Sequence, residues 1–410
     1  MVRPTGSDPA WATRMTGRPL AAALLLPVAL ALAACGSSIG QAAAPAGDDL
    51  RIGVIVPATG PVSATGLAMQ AGFEIAVAEV NAEGGVNGKP IAYEVSDDAG
   101  DPATSTQIAR RYSQDPGVDL LFGTITGDTA AAVTPVAEQA GMAFATAILG
   151  DPSDCSAISF PFGETSRQLL IPQIKALVAD HGPRIAFVGS DYNFPRDYAA
   201  AAMSIVGAAG GQLVAQEYSP LGTTDFESTI ARLAAARPDA ILSMVVGSDA
   251  VTFTQQAAAF GLLTPEMGYE GAPLDSDYYP AVAAQVNGRK HVVRWADGLE
   301  DPQSRAFVAA YRQKTGSTAP IPEVAANAYF GVRFTAAAIN GAKAGSRAAI
   351  VTALGSFSMD SPLGDGTRFV TDGKGSHVFQ ADMLTATIRA DGYAVTADHG
   401  VIQDVTTSCR

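Results

Sequence analysis

The sequence predicts an α/β protein of two lobes, each a mostly parallel sheet with helices on both faces. Three observations lead there. Short β-branched runs alternate with longer stretches of helical period from residue 50 onward, the pattern of strand–helix–strand units. The alternation comes in two successive series, joined at Phe160-Pro161-Phe162-Gly163, which suggests a hinge. A chain of 410 residues with 48% apolar and 16% charged side chains also has more core-forming material than one ordinary domain uses.

In chain order, residues 51–56 read as the first strand, followed by a turn at Pro57-Ala58-Thr59-Gly60-Pro61. Ala68, Phe73, Ile75, Val77 and Val80 then form the buried side of a helix that stops at Glu83-Gly84-Gly85. Residues 91–95 form the next strand, and Asp101-Pro102 supplies an N-cap and a proline at the first helical position. A strand at 118–122, a helix from about Asp128 and a strand at 142–146 continue the series. The second series begins near Thr165, with strands at 184–188, 212–217, 240–246 and 266–269 and helices starting near Pro195, Asp225 and Ser248. A helical region at 302–315 and 322–343 returns the chain to the first lobe, and 379–395 ends it in sheet. The expected lobes are 50–163 with 298–375, and 164–297 with 376–405.

Ahead of these, Arg14 and Arg18 precede the apolar run at 20–30, as the n-region and h-region of an export signal do. That run is too short to span a bilayer stably. Met15 offers a second start with an adequate n-region of its own. The boundary Leu32-Ala33-Ala34-Cys35-Gly36-Ser37-Ser38 resembles the bacterial lipobox, which implies a signal peptide at 1–34, lipid on Cys35 and a small-residue tether at 35–49. With Cys35 set aside, Cys155 and Cys409 remain, and an even pair in an exported chain is expected to be bridged. The net charge of −14 and the absence of a basic stripe exclude a nucleic-acid partner.

Ile52-Gly53-Val54 through Thr59-Gly60-Pro61, and the run Glu79-Val80-Asn81-Ala82-Glu83-Gly84-Gly85-Val86-Asn87-Gly88-Lys89-Pro90, resemble the type I periplasmic binding proteins. These are the branched-chain amino-acid and amide receptors of ABC importers. Gly189-Ser190-Asp191-Tyr192-Asn193-Phe194-Pro195-Arg196 and the segment 217–226 resemble the urea and short-chain-amide branch, as do His291 and Trp295 before 306–311. The resemblance implies a hinged receptor that captures a small polar, nitrogen-bearing solute and delivers it to permease subunits. A lipid would hold it at the outer face of the cell membrane or in the periplasm. A ligand-sensing regulator of the same fold is the alternative.

Binding residues are expected where strands end. Thr126, Gly127 and Asp128 follow the third strand and offer amides and a hydroxyl at a helix N-terminus, although Asp128 also suits a helix cap. The resemblance implies a serine where Gly127 stands, and a tryptophan where Ile125 stands; Ile148 and Leu149 likewise replace polar or aromatic residues. From the other lobe come Tyr192, for stacking and a hydrogen bond, and Asp249, for contact or capping. Glu270 resembles the glutamate that meets the α-ammonium in the amino-acid branch, and Asp275 lies nearer the acidic cluster of the amide branch. A solvated acidic loop would account for both equally well. His291 and Trp295 are read as packing residues. The histidines His181, His291, His377 and His399 show no metal-ligand spacing, and no Gly-x-Ser-x-Gly elbow or phosphate-cradling loop occurs. No enzyme, metal or cofactor is therefore expected.

Overall fold

The computed structural model describes residues 49–149, 155–274 and 278–409. Cys35 and Asp275 lie outside them.

The first series runs β1 (Arg51–Val56), α1 (Ser63–Ala82), β2 (Ala92–Asp97), α2 (Pro102–Gln114), β3 (Leu120–Gly123), α3 (Gly127–Gln139), β4 (Ala143–Thr146) and β5 (Ser159–Pro161). Its strands pair in parallel in the order β2-β1-β3-β4-β5. β1 and β3 are buried along almost their whole length, as expected of strands covered on both faces. Asp101 caps α2 by accepting from Thr104 N at 2.7 Å, with Pro102 at the first helical position.

The second series is α4 (Ser166–Asp180), β6 (Arg184–Ser190), α5 (Asn193–Ala208), β7 (Gln212–Ser219), α6 (Glu227–Ala235), β8 (Ala240–Met244), α7 (Gly247–Ala259), β9 (Gly268–Gly271), α8 (Tyr279–Val286) and β10 (Lys290–Val293). Strands β6 to β9 form a parallel sheet in the order β7-β6-β8-β9. Then come α9 (Pro302–Thr315), α10 (Glu323–Ala342), α11 (Arg347–Ser356), β11 (Ser358–Ser361), β12 (Gly364–Thr371), β13 (His377–Gln380), β14 (Asp382–Arg389) and β15 (Gly392–Val401). The last strands build two antiparallel sheets, β11-β12-β13 and β10-β14-β15.

Packing divides the molecule in two. The cluster around β1, α1, α9 and α10 includes Phe73, Phe122, Phe307, Tyr329 and Phe334. α1 and α10 meet so closely that a Cβ on Gly72 would sit 2.0 Å from Ala325 O. The clusters around β6, β8, β10 and β14 hold Phe187, Tyr198, Phe253 and Ile388. β13, which the sequence reading groups with 376–405, pairs with β12, and its Phe379 packs in the first cluster. The 358–371 hairpin is absent from the sequence reading because its polar, glycine-containing strands lack clear alternation.

The chain passes between the two halves near 162–165, 294–297 and 380–382, and one side chain ties these passages together. Arg294 is fully buried. Its guanidinium donates to Phe162 O, to Gln168 Oε1 at 3.1 Å and to Phe379 O at 3.3 Å, and its Nε lies 3.8 Å from the buried Glu164 carboxylate. The Arg294 and Trp295 backbone amides both donate to Glu323 Oε1 at the start of α10. Cys155 and Cys409 form a disulfide, with Cα atoms 5.3 Å apart, that ties the segment before β5 to the C-terminal tail.

Arg294→Met would leave Glu164 uncompensated and the Phe162 carbonyl without its donor, whereas Phe379 O keeps the Gln168 Nε2–H donor at 3.0 Å. Removing one partner of such a buried pair costs about 3–5 kcal/mol. Urea unfolding is expected to show a loss of that size, and a loss near zero would show that Arg294 is dispensable.

Candidate functional site

Open parallel sheets offer binding crevices at the carboxyl ends of strands where the strand order reverses. The first sheet reverses between β1 and β3, the second between β6 and β8. The loops leaving these strands face one another. Val62 and Thr65 follow β1, Ile125 to Gly127 follow β3, and Ile148 and Leu149 follow β4; opposite them stand Tyr192, Phe194, Met244, Val246 and Ala272. With Leu169, Tyr278, His291, Glu323 and Val324 they enclose a cavity of about 80 Å³. Most of its wall is hydrocarbon or aromatic.

Thr126 is the N-cap of α3, its Oγ1 accepting from Thr129 N at 3.3 Å while Thr129 Oγ1 accepts from Thr126 N at 3.2 Å. This reciprocal cap fixes the helix start, so the amides and positive dipole end of α3 are held at the cavity edge. Gly127 belongs there for a steric reason. A Cβ at that position would lie 2.5 Å from Asn193 Oδ1 at the start of α5, so the asparagine occupies the space that a serine side chain would need. Asp128 also reaches across. Burial pushes its carboxyl above the usual range, against the downward pull of the Asn193 backbone N–H. The rims thus meet in a closed arrangement, close enough that a Cβ added to Gly247 would lie only 2.9 Å from Pro61 O.

Tyr192 is the N-cap of α5 and lines the cavity, its ring 6.0 Å from the roughly parallel ring of Phe194. Burial holds its phenol far above the ordinary range, with Tyr278 and Asp128 adding to the effect. Tyr278 OH accepts from Gly247 N at 2.9 Å, which positions a second phenol in the same wall.

The structure therefore brings Thr126, Gly127 and Tyr192 to the cavity, with Asp128 at its rim. It turns the two described far-lobe acids elsewhere. Asp249 Oδ2 accepts from Gly222 N at 2.7 Å and Thr223 N at 3.2 Å, so it organises the loop between β7 and α6. Glu270 Oε1 accepts from Val292 N and pairs with His291 Nδ1, both at 2.9 Å. His291 itself lines the cavity, whereas Trp295 is buried in the first core and donates Nε1–H to Ser304 at 2.9 Å. The sequence reading did not select Phe194, Tyr278 or Glu323. Phe194 lay in a quoted motif, but Tyr278 and Glu323 reach the cleft from distant segments and carry no local signal.

Comparisons with known proteins agree with this architecture. A family model described as periplasmic binding protein matches residues 49–392. The Leu/Ile/Val-binding protein homolog 7 of Brucella suis biovar 1 is 28% identical over 352 residues, covering 80% of this chain and 86% of that protein. A solute-binding protein of an ABC transporter from R. palustris, solved with benzoate, has a TM-score of 0.76 at 18% identity, covering 88% of this chain and 99% of its own. The LivJ substrate-binding protein of Streptococcus pneumoniae, solved with isoleucine, has a TM-score of 0.70 at 22% identity, covering 86% and 99%. Both structures share the two-lobed α/β fold.

Gly127→Ala is expected to force Asn193 aside and disfavour the closed cleft. Calorimetry should show affinity for whichever solute the parent takes up falling by about tenfold, or 1.4 kcal/mol. Unfolding free energy should stay within about 0.5 kcal/mol of the parent. Parental affinity in this variant would show that the two rims do not press together at Asn193.

Proposed function

This chain belongs to the periplasmic binding protein family, and from that premise we propose that it serves as the solute-binding component of an ABC transporter, without chemistry on its solute, and captures a small organic carboxylate with a hydrocarbon body. The observation that carries the reading is the cavity wall. Ile125, Ile148, Leu149, Phe194, Val246 and Val324 surround the solute's body, and the N-terminus of α3 at Thr126 and Gly127 offers amides to an anion. A urea would find few polar partners here and would leave the apolar wall against water. Isoleucine and benzoate, the ligands of the two structural neighbours, are each a carboxylate on an apolar frame.

Capture works by closure. Contacts such as Asp128 to the Asn193 amide, and solute contacts from both rims, exist together only when the lobes meet, so binding shifts the population toward the closed form. Permease subunits would then recognise that form. We place the lipid anchor at Cys35, since the lipobox-like boundary follows an export-type segment. The lobes are assigned as 50–163 with 298–380, and 164–297 with 382–405, which moves β13 to the first.

A thermal-shift panel tests the ligand class. Leucine, isoleucine, benzoate and 4-hydroxybenzoate are compared with urea and acetamide. A true ligand at about 100 times its dissociation constant adds about 2.7 kcal/mol to stability. At least one carboxylate should do so; stabilisation by urea or acetamide alone would overturn the proposal.

Anchoring is tested separately. Each buried methylene contributes about 0.8 kcal/mol, so two or three acyl chains hold a protein durably. Cys35→Ala is expected to move the protein from the membrane fraction to the soluble fraction, and unchanged fractionation would rule out Cys35 as the anchor.

A further inference from the structure

A fourth length of chain joins the two lobes beside the three passages. β15 pairs with β14 in the second lobe, and Ile402, just after it, packs against the core that holds Phe187 and Tyr198. Asp404 Oδ2 accepts from Arg167 Nε at 2.5 Å, at the start of α4 in the same lobe. Three residues on, the tail is held by the first lobe. Thr407 Oγ1 donates to Asp372 Oδ2 at 2.6 Å, and Lys374 Nζ donates to Cys409 O at 3.0 Å, Asp372 and Lys374 lying in the turn between β12 and β13. That turn is seated on the first sheet, since His377 Nδ1 at the start of β13 meets Ser159 O of β5 at 3.0 Å. Thr407 and Cys409 are buried there, and the Cys409 sulfur is bonded to Cys155 just ahead of β5. The two cysteines are 254 residues apart, so all three passages lie inside the loop that the disulfide closes.

We propose that the tail is a strap across the hinge that limits how far the lobes open, fastened through Asp404 to the second lobe and through Thr407 and Cys409 to the first. The inference goes beyond the solute reading; it rests on closure of the lobes about the Arg294 joint and on no property of the cleft wall. A chain spans at most about 3.6 Å per residue, so Asp404 and Thr407 cannot part by more than about 11 Å while both stay fastened. Any opening that carries the start of α4 away from the β12–β13 turn beyond that reach must first break the Arg167–Asp404 pair or the Thr407 contact. In the closed arrangement the strap is satisfied at both ends and costs that state nothing. It acts on open states alone, and so raises the fraction of unliganded molecules poised to close. Apparent affinity rises with that fraction.

A disulfide that merely staples the end of the chain to the first lobe would also stabilise the protein, so the test keeps the disulfide and lengthens the strap. Inserting Gly-Ser-Gly-Ser between Val405 and the exposed Thr406 preserves Asp404, Thr407 and both cysteines, while raising the reach to about 25 Å. Insertions of this size in exposed segments cost little stability. Fluorophores on non-natural residues at Leu67 in α1 and Leu221 after β7, which are 49% and 44% exposed and stand one on each lobe, report lobe separation by energy transfer in the full-length protein. Without added solute, the mean distance should be longer in the insertion variant than in the parent, and at least as long in Cys155→Ser/Cys409→Ser. Titrations with leucine, isoleucine, benzoate and 4-hydroxybenzoate, followed through the same labels, should show each one that binds the parent binding the insertion variant at least about threefold more weakly. An unchanged distance or an unchanged affinity in the insertion variant would overturn the strap, and loss of stability confined to the disulfide-free variant would mark the bridge as a staple. If none of the four solutes binds the parent, the solute reading fails and the distance alone decides the strap.

Discussion

Arg294 is the constraint on which the two-lobed arrangement depends. Where a chain leaves one sheet for another, its carbonyls lose their ladder partners and must be satisfied some other way. Three such passages converge here, and a guanidinium with five donors in a fixed plane can serve several acceptors from one point. Arg294 serves Phe162 O from the first passage, Phe379 O just before the third, and Gln168 at the start of the second lobe. Its own backbone belongs to the middle passage and is held by Glu323. A buried charge is expensive, but Glu164 lies beside it and offsets part of that cost. The joint is consequently a point about which the lobes can approach while their connections stay registered.

Everything at the cleft follows from that approach. Each sheet places its strand-order reversal at the carboxyl end, so the loops after β1 and β3 face those after β6 and β8. Neither rim alone encloses anything. Brought together, they bury Thr126, partly cover Tyr192, Phe194 and Tyr278, and leave a cavity of about 80 Å³. Two helix starts define its polar points, α3 through the reciprocal Thr126–Thr129 cap and α5 through Asn193. The steric fit of Gly127 against Asn193 shows that the rims are shaped for contact, since a side chain at either position changes what the other can hold.

Asp249 and Glu270 give the site its character by turning to partners within the protein. Asp249, in the first turn of α7, and Glu270, within β9, are the far-lobe acids that the sequence offers to a ligand, yet each has a protein donor within 3 Å. Pairing inside the protein is the lower-energy arrangement for a buried carboxylate when a backbone amide is available. Their withdrawal leaves a largely apolar wall marked by phenols, one imidazole and Glu323, whose Oε1 is held by the Arg294 and Trp295 amides, and such a wall suits a solute that buries hydrocarbon and presents its charge at one end.

The sequence alone determined most strands and helices of both series, because β1, α1, β6 and α7 bury long apolar stretches whose period is visible without a partner, while the short β5 and α8 carry too few residues to show one. It also determined the rim positions, since those follow from where strands stop. Tyr192 and the Thr126 to Asp128 segment were legible for that reason. What each rim residue does was not. Glu270 meets His291 across 21 residues, Asp249 meets Gly222 across 27, and Arg294 reaches Phe162 across 132. Local pattern records whether a side chain prefers burial, and says nothing of which distant donor will arrive beside it. That is decided by the packing of one layer on another, and so the tertiary structure alone determined that two of the described acids leave the site and that a histidine enters it.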